Sequence, residues 1–156
     1  MKSWSDFSLE EPDLSIIGNK LIFQSRIGRA FLATIRKDGS PRLHPVSLVI
    51  HMNRLYMFIP TTSPKCSDLL RDGRYAMQSF PVPDDKETQE FYLSGHAECI
   101  YDSNVRERII DNTKIYTEEN EVLFELLVNR VMYTKLINAG EPGEHPVHIK
   151  WQESVI

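Results

Sequence analysis

Lys37-Asp38-Gly39-Ser40 stands between two short apolar runs, Ala30–Ile35 and Arg42–His51, and no other feature narrows the fold as much. Asp-Gly between such runs signals a hairpin, because both central residues of a primed turn need φ > 0. The second run is broken only by Pro45, whose missing N–H predicts a sheet edge or a bulge there. His51-Met52-Asn53-Arg54 predicts the next turn, and Leu55–Ile59 a third strand.

Helical spacing appears ahead of these strands and between later ones. Leu14, Ile17 and Leu21 predict a helix over Glu10–Phe23, with Pro12 near its start. Ser63 suits an N-cap, Pro64 the first helical position and Gly73 the stop, so a helix of two to three turns follows the third strand. Strands are expected at Tyr75–Phe80 and Phe91–Asp102, joined by a polar loop at Pro81–Gln89 whose acids Asp84, Asp85 and Glu87 read as solvated. From Asn104 to Val128 the apolar residues recur at three and four, which predicts helix, broken near Asp111–Thr117. Arg130–Ile137 and Val147–Gln152 alternate as strands around Gly140-Glu141-Pro142-Gly143. Six or seven short strands with inserted helices predict a mainly β (α+β) fold, an antiparallel barrel with peripheral helices. The 156 residues fit one domain, with 1–27 as an N-terminal helical segment and 28–156 as the barrel with inserted helices.

Composition removes several function classes. At 41% hydrophobic and 26% charged residues the chain is globular rather than disordered. A net charge of −4 and the lack of a long Lys/Arg run argue against a nucleic-acid partner. Cys66 and Cys99 form no CxxC pattern, which disfavours a disulfide framework or a zinc site. Of the histidines, His44, His51 and His96 lack ligand spacing, and His145 and His148 alternate across a strand, so no metal site is expected. No run reaches the ~18 apolar residues of a membrane span, and Met1–Asp6 does not resemble a signal peptide. The default expectation is a soluble cytoplasmic protein with no membrane partner.

Chemistry concentrates where the third strand meets the helix. A helix N-terminus offers unpaired N–H groups and a partial positive charge, which favour an acid in the first turn. Here the first turn carries Lys65, preceded by the hydroxyls of Thr61, Thr62 and Ser63. Such a group can cradle a phosphate. Taken alone, an ordinary Ser-Pro helix start with a solvated lysine is the simpler account. Cys66, beside Lys65, is read as a buried inert thiol.

The order and spacing of these pieces change that balance. Gly28–Thr34, Asp38-Gly39-Ser40-Pro41-Arg42-Leu43-His44-Pro45-Val46, Leu55–Ile59, Ser63–Leu69, Asp72–Met77 and Phe91–Glu98 together resemble the pyridoxamine 5′-phosphate oxidase-like family of split β-barrels. The resemblance runs from Gly28 to Asp102 and weakly through Arg130–Trp151. It implies a six-stranded split barrel that forms a homodimer, with FMN held in clefts at the subunit interface. His44, Pro45, Val46 and Ser47 would lie beside the flavin ring and ribityl chain, and Phe58, Ile59, Pro60, Thr61 and Thr62 would complete the pocket. Ser63 and Lys65 would hold the phosphate, with Gln78 and Trp151 as further contacts made within or across the dimer. His44 is either a donor to the cofactor or a histidine at the barrel mouth.

Departures from the oxidase itself bear on activity. Pro64 and His44 stand where that enzyme has arginines, and the C-terminus Ile149-Lys150-Trp151-Gln152-Glu153 lacks its arginine-bearing substrate motif. The resemblance thus implies a flavin-dependent oxidoreductase acting on some other small-molecule substrate. The alternatives are a reductase using the deazaflavin F420, and a non-enzymatic flavin- or haem-binding protein. No catalytic acid or base is assigned, since a flavin carries its own redox chemistry.

Overall fold

The computed structural model describes residues 1–82 and 88–154. Asp84, Asp85 and Glu87, expected in a solvated loop, lie outside the described residues. In chain order the elements are α1 (Trp4–Glu10), α2 (Pro12–Ile22), β1 (Gly28–Ile35), β2 (Pro41–His51), β3 (Arg54–Pro60), α3 (Pro64–Arg71), β4 (Arg74–Ser79), β5 (Gln89–Ile100), α4 (Ser103–Thr113), β6 (Glu121–Ile137) and β7 (His145–Gln152). Every strand pairing is antiparallel. The sheet runs β3-β2-β1-β4-β5-β6-β7, and a β3–β6 pairing closes six of the seven strands into a barrel. The expected fold class holds.

The two hairpins swap the expected turn chemistry. At the first, Gly39 has φ +84° but Asp38 stays at negative φ. The Gly39 N–H donates to the Arg36 carbonyl at 2.9 Å, and the Asp38 carboxylate accepts from the Ser40 N–H at 3.0 Å. Asp38 thus serves through its side chain, and only glycine takes the left-handed position. The primed turn lies instead at Met52 and Asn53, with φ 48° and 55°.

Pro45 sits on an edge, as expected. β2 pairs with β1 from Pro41 to Leu48 but with β3 only over Val49–His51. Among the described residues no strand covers the other side of β2 before Val49, so the absent N–H breaks no ladder there.

Two readings need correction. Val122, Leu123, Leu126 and Leu127 are not helical; they form the first half of β6. Phe124 and Leu126 enter the barrel core, while Leu123 packs outward with Val49, Tyr56 and Ile109 under α4. Burial of both faces removes the polar alternation that marks a half-buried strand. The N-terminal segment holds two helices rather than one. Ser3 caps α1, its hydroxyl accepting from the Asp6 N–H at 3.1 Å while the Asp6 carboxylate accepts from the Ser3 N–H at 3.3 Å.

One large core fills the barrel. Leu32, Leu48, Met57, Met77, Leu93 and Phe124 are all at most 2% exposed. α1 adds Trp4 and Phe7, whose rings meet Phe91 and Trp151 at centroid distances of 6.2 Å and 4.9 Å. Among the described residues, no helix is long and apolar enough to cross a membrane.

Candidate functional site

Between β2 and β3 the sheet opens. Beyond their short shared ladder β2 follows β1, whereas β3 turns to β6 from Tyr56 to Pro60. The strands diverge around a cleft of about 270 Å³. Pro45, Val46 and Ser47 line one wall, Phe58, Ile59 and Pro60 the other, and Lys65 of α3 reaches in from the end. All seven were expected there from the sequence.

Lys65 is half-buried, and burial pulls its ammonium below the usual lysine range. Among the described residues it has no carboxylate partner. The nearest helix acid, Asp68, is 3% exposed and already committed. It accepts from Thr34 Oγ1 at 2.9 Å, Arg42 Nε at 2.7 Å and Arg71 Nη2 at 3.3 Å. Burial alone would raise the Asp68 carboxyl; those three donors outweigh it and leave it below the usual range. They also use up the charge that could have neutralised Lys65.

His44 adds to the imbalance. Burial first, then the charges of Lys65 and Arg42, push its imidazole below the usual histidine range. Its Nε2 is buried with no hydrogen-bond partner. The α3 start carries no acid in its first turn, and Ser63 makes no side-chain cap. Among the described residues the hydroxyls of Thr61, Thr62 and Ser63 are not engaged with other side chains. An unneutralised cation, uncapped hydroxyls and an orphaned imidazole nitrogen suit a polyanionic headgroup. The donor set fits a phosphate monoester.

The other expected residues fall elsewhere in the chain. Thr61–Ser63 lead directly into α3 and His44 lies within reach of the Lys65 charge, but none of these residues lines the cleft. Gln78 lines a second cleft of about 450 Å³ on the outer sheet face, with Phe31, Leu43 and Tyr92. That cleft is larger but has no cationic group among its described lining residues. Strand register links the two clefts, since Pro45 pairs with Phe31 and Phe31 with Gln78. Trp151 is 8% exposed and packs against Phe7 in the core.

The sequence reading missed Ile27, Val49, Met57, Glu121 and the segment Ile115-Tyr116-Thr117, all of which border the first cleft. Ile115–Thr117 follows α4 and returns to the cleft only through tertiary structure. The spacing showed a break in helix there, but nothing local points to where such a segment docks. Among the described residues no group of three or more His, Cys, Asp or Glu converges as a metal site.

No family model matches the chain, and no curated protein sequence does. Solved structures do. A heme binding protein from Mycobacterium smegmatis superposes with TM-score 0.60 at 18% identity, over 80% of this chain and 52% of that one. This chain therefore spans about half the length of that protein. A NimC/NimA family protein from Clostridium acetobutylicum matches with TM-score 0.58 at 14% identity, over 88% of this chain and 90% of that one. An F420 reductase matches with TM-score 0.55 at 17% identity, over 72% and 94%. These likenesses define the class of the chain by fold: it is a split β-barrel with peripheral helices.

Proposed function

We propose that this protein is a flavin-binding oxidoreductase that takes FMN, with the phosphate at Lys65 and the ring and ribityl chain along Pro45–Ser47 and Phe58–Pro60. One observation carries the reading: a half-buried lysine with no counter-ion among the described residues stands at the end of a cleft formed where two strands part. Bound there, FMN would supply the electron transfer. The residues would bind and orient it, β2 offering backbone along the edge ahead of Val49, where no strand among the described residues pairs with it.

The wall composition supports a flavin over haem. None of the five histidines lines the cleft, so imidazole ligation of a haem there would have no ring to use. F420 carries a similar phosphate-bearing side chain, and Lys65 would serve it equally. The fold shared with an F420 reductase keeps that cofactor as the second reading.

The cleft also supports a homodimer. Ligand pockets span roughly 300–1,000 Å³ and enclose most of their ligand. A cleft of about 270 Å³ would leave a flavin ring half uncovered without a second subunit. The substrate in this reading is a small molecule reached at the exposed ring face, in a soluble cytoplasmic protein.

The test is a visible-absorbance titration of the purified protein with FMN and with F420, run beside Lys65→Ala. Saturable FMN binding that weakens at least tenfold in the variant is expected. A wild type with no affinity for either flavin, or a variant that binds as well as wild type, overturns the proposal. A monomer in sedimentation velocity that still binds flavin overturns the dimer.

A further inference from the structure

We infer that Tyr116 is the residue that covers the planar ring of a cofactor bound in the first cleft, acting as a stacking cover on the rim of that cleft. The inference rests on the flavin reading above and deepens it.

The local backbone sets up the arrangement. Lys114 ends α4 in the left-handed conformation, with φ 52°, and turns the chain out of the helix. From there the burial alternates. Ile115 packs down onto the cluster of Val49, Tyr56, Ile109 and Leu123, whereas Tyr116 points outward and is 88% exposed. Alternation of this kind is what an extended segment produces.

Both ends of the segment are tied. Arg26 Nη2 donates to the Lys114 carbonyl at 3.2 Å. Arg106 donates to the Glu118 carbonyl at 2.9 Å and the Glu121 carbonyl at 2.7 Å. The same guanidinium lies 4.9 Å from the centre of the Phe58 ring, on the cleft wall. The backbone around Tyr116 is therefore fixed to the cleft while its ring is unsupported. Moving that ring needs only a side-chain rotation, which exposed residues make in picoseconds to nanoseconds.

Tyr101 provides the contrast. It is 85% exposed and lines neither cleft. Single exposed aromatics are ordinary on protein surfaces, and Tyr101 needs no further account. Tyr116 differs in bordering the cleft that holds Lys65. An aromatic ring on such a rim gains contact area and offset-stacking energy once a planar π-system enters.

The test measures FMN affinity and the fluorescence of bound FMN in four proteins: wild type, Tyr116→Ala, Tyr116→Phe and Tyr101→Ala. Stacking of this kind contributes about three- to tenfold in affinity. Tyr116→Ala is expected to bind that much more weakly and to leave bound FMN brighter, because a stacked phenol quenches an isoalloxazine by electron transfer. Tyr116→Phe is expected to keep wild-type affinity but also to brighten the flavin, since a phenyl ring is a poor electron donor. Tyr101→Ala should match wild type in both. Wild-type affinity and brightness in Tyr116→Ala overturn the inference, as does a shift of that variant to monomer, which would assign the ring to an interface between copies. Lys65→Ala separates the two levels. If it loses FMN while Tyr116→Ala does not, the cofactor site stands and the stacking role fails; if wild type binds no FMN, both fall.

Discussion

Arg42 Nε donates to Asp68 Oδ2 at 2.7 Å, joining the start of β2 to the middle of α3 through a carboxylate that is 3% exposed. Thr34 of β1 and Arg71 of α3 complete its shell. The pair fixes α3 against the barrel one turn beyond Lys65, and so sets where the lysine stands relative to Pro45–Ser47. Asp68→Ala would leave Arg42 without its partner and empty a filled polar site. Breaking a buried pair from one side costs on the order of 3 kcal/mol. Urea unfolding should show a lower midpoint with an unchanged slope.

Acid should destabilise the protein in two separate stages. Burial, Lys65 and Arg42 all lower the His44 pKa in the fold. The unfolded chain then takes up that proton first, so stability falls as pH drops below about 6.5. Asp68 is also depressed, and its contribution, complete above about 3.9, is lost as pH falls through the lower folded value. Glu125, 5% exposed, works the other way: burial raises its pKa despite Arg54, so its ionisation costs stability as pH rises. Stability measured against pH should lose its upper stage in His44→Gln and show a smaller lower stage in Asp68→Asn, the rest belonging to other depressed carboxyls such as Asp72. Unchanged profiles in those variants would show that the groups are solvated.

Lys65→Met should make the ligand-free protein more stable. The ammonium is half-buried, has no carboxylate partner among the described residues and sits at the positive end of a helix. Removing it should gain about 0.5–1 kcal/mol, a modest gain typical of sites that keep an unfavourable group for function. Thermal unfolding without added cofactor reads this directly. A less stable variant would mean that the lysine has a structural partner.

Gly95→Ala should fail for a steric reason. A methyl at Gly95 would overlap the Leu127 carbonyl of the neighbouring strand, where the β5–β6 register shifts between Ser94 and Gly95. Because backbone rather than a flexible side chain is in the way, a loss of about 3 kcal/mol is expected. Near-wild-type stability would show that the bulge can relax.

Much of this architecture was legible because its signals are local. Asp38-Gly39, His51–Arg54 and Ser63-Pro64 each mark a turn or a helix start from within a few residues, so the first three strands and α3 were legible, whereas the walls Pro45–Ser47 and Phe58–Pro60 and the place of Lys65 beside them followed only from the resemblance to the split-barrel family. The first half of β6 was not legible. Leu123 and Phe124 are buried on opposite faces of one strand, and that pattern matches a helix as well as a strand. Turn types were hidden for another reason: Met52 accepts positive φ in a tight two-residue turn, where propensity would not put a methionine. Ile115–Thr117 is held at the cleft by Arg26, Arg106 and the packing of Ile115 on Val49 and Leu123, long-range contacts that no local spacing encodes.

The proposed phosphate site at Lys65 is tested most directly by a comparison of FMN with riboflavin, because the two differ only in that group. Calorimetric titration of wild type should show FMN bound at least tenfold more tightly than riboflavin, with the preference lost in Lys65→Met. Equal affinities for the two flavins in the wild type, or a phosphate preference that survives the substitution, would contradict it.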